Sequence, residues 1–402
     1  MRFKMTQIMA LLLACACGGD EKASLPLETA GTGAPVSGSA AAPAVVGGTG
    51  ASAGAGSSAP RAGAAALGGS SGAAGSTSAG RGGSAGTGGL PASPGDIGPI
   101  AGSGSPPVAG AAGAPAEPEP PAVACNPADA TPEAKAVPLT SITGSSNSAA
   151  IAPALGPLMP VIEHDPGLAT HTVYRPMTFG DTKYPVVVWA NGGCIKNGTM
   201  FSRFLLEIAS HGFVVVADGV PNGSGMGPLE TNGVPQKQAL DWIVAENERP
   251  CSKFYRKLDT TKIAAMGQSC GGLMTLGVSG DPRLSTVVIW NSGMFEPDEK
   301  IYTELHTPIA YFIGGPDDVA YAQAETDVAA INNVPLFYGN LPVGHSGTYS
   351  QDNGGEFARV GIGWLKWQLY GDKTAAGEKM FLGADCALCK GTMWTIEKKM
   401  ME

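Results

Sequence analysis

KIAAMGQSCGGL, residues 262–273, packs a strand, a turn and a helix start into one short stretch. Ile263–Met266 reads as a short apolar strand, and the apolar run Leu273–Val278 continues beyond the turn as a helix. Between them Gly267-Gln268-Ser269-Cys270-Gly271 fits the pattern G-x-S-x-G. A strand–turn–helix junction this tight strains the backbone of the central serine. Side chains two positions before and two after it would collide, and Gly267 and Gly271 remove them. Ser269 Oγ is then exposed at the carboxyl edge of a sheet. Glycine and serine are abundant here, so the pattern acquires meaning only from its surroundings.

Those surroundings alternate between buried strands and helices. Val161–His164 and His171–Arg175 read as two short strands joined by the turn Asp165-Pro166-Gly167. Val186–Ala190 is β-branched throughout its start, as in a strand covered on both faces, and Asn191-Gly192-Gly193-Cys194 follows as a loop. Phe201–His211 has helical spacing, with Phe201, Phe204, Leu205 and Ile208 on one face, and Phe213–Ala217 is the next strand. A Gly-rich loop and a helix over Gln236–Glu246 lead to the stretch quoted above. Beyond it lie strands at Thr286–Trp290, Pro308–Ile313 and Leu336–Tyr338, a helix at Ala322–Ile331 and a closing helix at Glu356–Leu369. The pattern implies an α/β fold: a doubly wound, mostly parallel sheet flanked by helices, with its site at the carboxyl edge.

A serine used as a nucleophile needs a base to take its proton and an acid to orient that base. Of the five histidines, His345 alone follows the last core strand, in the Gly-flanked loop Pro342–Gly347. His164 and His171 lie among the early strands, His211 ends a helix and His306 precedes a strand, all positions suited to structural roles. For the acid, Asp317 and Asp318 stand side by side after the strand ending at Ile313. Asp317 in Pro316-Asp317 suits the turn itself, which makes Asp318 the choice and Asp317 the alternative.

The order Ser269, Asp317 or Asp318, His345, each after a strand, resembles the α/β-hydrolase superfamily from about Val161 to Tyr370. The absence of a long cap insertion makes the chain similar to the dienelactone hydrolase, cutinase and polyester hydrolase branch. The resemblance implies an oxyanion hole made by the backbone N–H groups of Gly193 and Cys270. It implies a substrate-binding role for Trp290, after the strand beyond the serine. With those donors within reach of one oxygen atom, Cys194 and Cys270 should lie close enough for a disulfide. The chain departs from the branch at Gln268, where cutinase-like enzymes usually carry His, and at Cys270, where Met is frequent. Dienelactone hydrolases use a Cys nucleophile, so Ser269 separates this chain from their lactone chemistry.

Composition divides the chain. Its 59 Gly and 32 Pro fall mainly in the first third of the 402 residues. Residues 1–17 read as an export signal: Arg2 and Lys4 precede the short apolar core Ile8–Ala14. Leu12-Leu13-Ala14-Cys15 resembles the lipobox of bacterial lipoproteins, which implies acylation of Cys15 and a lipid anchor; a plain secretory signal is the alternative. Residues 18–124 form a Gly/Ala/Ser/Pro-rich stretch whose Gly31–Ala116 portion carries only Arg61, Arg81 and Asp96 as charges. Such a sequence cannot bury enough apolar surface to order its backbone and is expected as a disordered tether. Residues 125–402 form the domain, with a core over about 161–370 and a C-terminal extension at 371–402.

The remaining cysteines, Cys125, Cys194, Cys251, Cys270, Cys386 and Cys389, are even in number, as in exported disulfide-bonded proteins. Cys386-Ala-Leu-Cys389 reads as a local disulfide, since no second ligand pair for zinc stands near it. The net charge of −9 and the lack of a Lys/Arg cluster argue against nucleic acid or an anionic membrane surface as partner. Together these observations predict an exported, monomeric serine hydrolase of carboxylic esters, on small-molecule or polymer substrates, with no cofactor and no metal. Its rivals are a peptidase of the same fold and a non-catalytic surface-anchored binding module.

Overall fold

The structure is a computed structural model that describes residues 121–130, 132–142, 150–229 and 231–401. The signal-like segment, Cys15 and almost all of the expected tether lie outside the described residues. In chain order the elements are β1 (Lys135–Ala136), β2 (Pro160–His164), β3 (His171–Pro176), β4 (Tyr184–Ala190), α1 (Ser202–Ser210), β5 (Val214–Asp218), α2 (Val234–Glu248) and β6 (Leu258–Gln268). There follow α3 (Cys270–Val278), β7 (Leu284–Trp290), α4 (Glu299–Glu304), β8 (Ile309–Ile313), α5 (Tyr321–Ala330), β9 (Leu336–Asn340), α6 (Gly355–Tyr370), α7 (Ala387–Lys390) and β10 (Thr395–Lys399).

The strands form a 10-stranded sheet in the order β1-β2-β3-β5-β4-β6-β7-β8-β9-β10. Neighbours from β5 to β9 are parallel, while the β1–β2, β2–β3, β3–β5 and β9–β10 pairs are antiparallel. Strand β6 begins at Leu258, earlier than the apolar run Ile263–Met266, and its register shifts between Ile263 and Ala264. Its polar first half pairs at the amino edge, which apolarity alone does not reveal. Elements β1, α4, α7 and β10 have too little periodicity to stand out in the sequence.

Period-two alternation distributes the central strands between two cores. Trp189, Met266, Val288, Trp290 and Phe312 face α1 and α6, where Phe204, Leu205, Trp364 and Leu365 meet them. Val188, Ala265, Ile289 and Tyr311 face α2, α3 and α5, packing with Leu240, Ile243, Leu276 and Val328. Both faces are buried, so the strands read as continuous apolar runs, and polar groups gather where the parallel strands end. Disulfides join Cys125 to Cys251, Cys194 to Cys270 and Cys386 to Cys389.

Candidate active site

Ser269 stands between β6 and α3 with φ 54° and ψ −117°, a region non-glycine residues avoid at a cost of about 1–3 kcal/mol. The surrounding glycines make that conformation sterically accessible. A Cβ on Gly267 would lie 2.2 Å from the Gly271 carbonyl oxygen, and one on Gly271 would lie 2.0 Å from that of Ala190. Hydrogen bonds hold the turn from β7: Ser269 N–H donates to the Trp290 carbonyl at 3.0 Å, and Ser292 Oγ donates to the Ser269 carbonyl at 2.7 Å.

His345 Nε2 lies 2.9 Å from Ser269 Oγ, and its Nδ1 lies 2.7 Å from Asp318 Oδ1. Gly344, with φ 74°, turns the loop after β9 back over the sheet edge. Asp318 is buried and also accepts from Asn291 Nδ2 at 2.7 Å, Gly314 N–H at 2.9 Å and Ala320 N–H at 3.0 Å. Burial pushes its carboxyl up, but the bonds from His345, Ala320 and Asn291 outweigh burial and hold it below the usual carboxylate range. Asp317 is exposed at the turn and makes none of these contacts. The other four histidines bond elsewhere: His164 to Ala169, His171 to Thr170 and Pro235, His211 to Glu207, and His306 to Glu304.

Two side chains to which the sequence reading gave no bracing role hold this chain in place. Asn291, at φ 43° just after β7, donates to Asp318 and to the Gly344 carbonyl, and accepts from Tyr349 OH at 2.6 Å. Gln268 donates to the His345 carbonyl at 3.2 Å, and its Oε1 lies where a Cβ on Gly192 would be. The signal for Asn291 was an asparagine directly after a buried strand, where αL backbone suits it.

On the other flank Asn191 fastens the turn after β4. Its Nδ2 donates to the carbonyls of Ile195, Asn197 and Asp218, while Trp189 Nε1 donates to its Oδ1. The turn Gly192–Cys194 follows, with Gly193 at φ 61° and Cys194 at φ 52°. The disulfide to Cys270 ties this turn to α3 with a Cα–Cα separation of 5.3 Å. Cys270 is the first residue of α3, so its N–H precedes the helical hydrogen-bond ladder and is available to a ligand.

A cleft opens beside Ser269 and His345, walled by Leu273, Phe295, Val319, Ala320 and Gln323. Trp290 takes no part in it, which corrects the substrate-binding expectation. It ends β7 in register with Phe312, fully buried, and its ring stacks on Phe312 at 4.6 Å and meets Phe204 edge-on at 5.3 Å. Strand alternation directs its indole into the core. Phe295, 41% exposed, is the aromatic residue at the cleft. Among the described residues, no cluster of three or more His, Cys, Asp or Glu is arranged to hold a metal ion.

A parallel sheet with a strained serine at the end of its central strand, and His and Asp brought to it from the ends of β9 and β8, defines an α/β hydrolase. Residues 141–381 match the PET hydrolase-like family, and the chain belongs to it. It is also similar to the platelet-activating factor acetylhydrolase of Cavia porcellus, at 25% identity over 201 residues. That match covers 39% of this chain and 44% of the relative, so the chain spans less than half of the relative's length.

Proposed function

We propose that the protein is a serine hydrolase of carboxylic esters working through an acyl-enzyme. The reading is carried by the unbroken hydrogen-bonded series from Ser269 Oγ through His345 to the buried Asp318. Ser269 Oγ attacks the ester carbonyl while His345 Nε2 takes its proton. The carbonyl oxygen, now negative, is held by the N–H groups of Gly193 and Cys270. The tetrahedral intermediate collapses, His345 returns the proton to the departing alcohol, and the acyl group stays on Ser269. Water then repeats the sequence, with His345 as base, and the carboxylic acid leaves. Asp318 keeps His345 in the tautomer with its proton on Nδ1 and stabilises the imidazolium that forms. Family membership and the acetylhydrolase likeness support an ester as substrate.

Ser269→Ala is expected to lower turnover of p-nitrophenyl acetate by about 10⁶-fold, and to abolish labelling by a fluorophosphonate probe. Activity within about tenfold of the parent would remove Ser269 from the mechanism, since triad nucleophiles carry far more. Labelling of the parent also separates the enzyme from a non-catalytic binding module, because only an activated serine reacts.

Export and a lipid anchor at Cys15 belong to the same proposal, supported by three disulfides of the kind oxidising compartments preserve. The mature protein is expected to incorporate labelled fatty acid and Cys15→Ser to lose the label. A detergent-insensitive protein whose N-terminus lies beyond Cys17 would instead mean plain secretion.

A further inference from the structure

Tyr349 lies four residues beyond His345, in the loop between β9 and α6, and it is buried where the triad chemistry gives it no task. Its ring turns into the core and meets Trp189, Phe201, Phe204 and Phe357 edge-on, at centroid distances between 5.0 and 6.5 Å. The loop that carries the histidine lies directly on that ring, since a Cβ on Gly347 would stand 2.7 Å from it. The hydroxyl has one partner, Asn291 Oδ1, to which it donates at 2.6 Å. Burial pushes the phenol well above its ordinary value, so it stays protonated and keeps its role as donor.

Asn291 is where the two halves of the proton relay meet. Its Nδ2 donates to Asp318 Oδ2 at 2.7 Å and to the carbonyl of Gly344, the residue before His345, at 3.3 Å. An amide has its donors at one end and its acceptor at the other, so two accepting neighbours and one donating hydroxyl fit in a single orientation. Turned over, it would present oxygen to a buried carboxylate and to a backbone carbonyl. The main chain beneath it is fixed, because Asn291 N–H donates to the Phe312 carbonyl at 2.8 Å and the residue is wholly buried. Without the Tyr349 hydroxyl, Oδ1 would be left unpaired in the interior, a cost relieved only if the amide turns or shifts. Either movement takes a donor from Asp318 and releases the loop at Gly344.

We propose, on the serine-hydrolase reading, that Tyr349 is a positioning residue: acting through Asn291, it keeps the Asp318 carboxylate and the His345 loop aligned for proton transfer. It touches neither substrate nor the reacting atoms. Its effect falls on the chemical steps and leaves substrate binding alone, because it forms no part of the cleft wall beside Ser269.

Tyr349→Phe removes one oxygen atom and keeps the ring, so the aromatic core around it is conserved. On the full chain with p-nitrophenyl acetate, kcat is expected to fall by about tenfold while KM stays within about twofold of the parent's. Asn291→Gly provides the second arm, since glycine accepts the φ of 43° at that position. Beside Asn291→Gly, the change Tyr349→Phe should cost less than about twofold in kcat, because its effect travels through the amide that is no longer there. The proton between His345 Nδ1 and Asp318 gives a readout independent of turnover and of Asn291→Gly folding. Its far-downfield NMR resonance in the parent should move upfield, or broaden through exchange with water, in Tyr349→Phe. A Tyr349→Phe enzyme with the parent's kcat and resonance would overturn the inference and leave the esterase reading intact. So would a loss that falls on KM, or one undiminished beside Asn291→Gly. A parent chain inactive on p-nitrophenyl acetate and unlabelled by a fluorophosphonate probe would overturn both.

Discussion

Asp318 has four hydrogen-bond donors around a buried carboxylate, and Asp317, one residue earlier, is exposed. Two adjacent loop residues point apart, and which of them turns inward depends on Gly315 at φ 91° and on the bond from Asp318 N–H to the Gly315 carbonyl. Neither is written in the local sequence, which explains why the pair is separable there only by weak analogy. On the proposed mechanism Asp318→Asn should lower turnover by about 10⁴-fold, by presenting His345 in the wrong tautomer. Asp317→Asn should leave turnover near the parent's. If the larger loss falls on Asp317, the acid has been misassigned; if neither variant loses activity, His345 is oriented by another group. Ser269 and His345 were legible because glycine spacing and strand order are sequence properties. Trp290 was not, since its place after a strand says nothing about which face its indole takes.

At the scale of elements, the active edge depends on how the turn after β4 is held against the start of α3. Asn191 anchors the turn's flanks, but the disulfide is the covalent link between Cys194 and the residue that follows the nucleophile. If Gly193 and Cys270 supply the oxyanion donors, the link fixes their separation. Replacing both cysteines by serine should then lower kcat by about 10²-fold, the scale of a lost or misplaced donor, with KM changed much less. A double variant that is less heat-stable yet keeps its kcat would confine the disulfide to a structural role. The pairing was open to inference from the sequence because the site's chemistry brings the two residues together. The link between Cys125 and Cys251 had no such logic. Strand β10 was equally hidden: five residues, Thr395–Lys399, cover the β9 edge, and Lys399 Nζ bonds the carbonyls of Val328, Ala329 and Ile331 at the end of α5. Such a cap depends on tertiary contact, with no hydrophobic period to announce it.

For the molecule as a whole, the parallel centre was readable from its apolar runs, while the antiparallel edges are held by polar contacts that composition does not reveal. Glu163 on β2 is the clearest of these. It accepts from Arg175 on β3 at 2.9 and 2.5 Å and from Lys253 at 2.9 Å, close in sequence to the Cys125–Cys251 link. Burial raises its carboxyl, but the bonds from Arg175 and Lys253 prevail and lower it below its ordinary value near 4.5. The depressed folded value means that the unfolded chain binds its proton first as pH falls. The stability Glu163 contributes is therefore complete above about 4.5 and is lost as pH falls through the folded value. Asp327 works in the opposite direction: burial keeps it above its ordinary 3.8 despite bonds from Tyr302, Met294 and Tyr311, so its protonation favours the fold in acid. Glu163→Gln should thus lower Tm at neutral pH, with the gap to the parent closing as pH drops below about 4.5. Asp327→Asn should show a gap that moves the other way, with the variant gaining on the parent as pH rises through the raised value. Thermal melts of the three proteins across that range measure both gaps. A Glu163→Gln curve that runs parallel to the parent's through the acid limb would mean that Arg175 and Lys253 do not hold this carboxylate in solution.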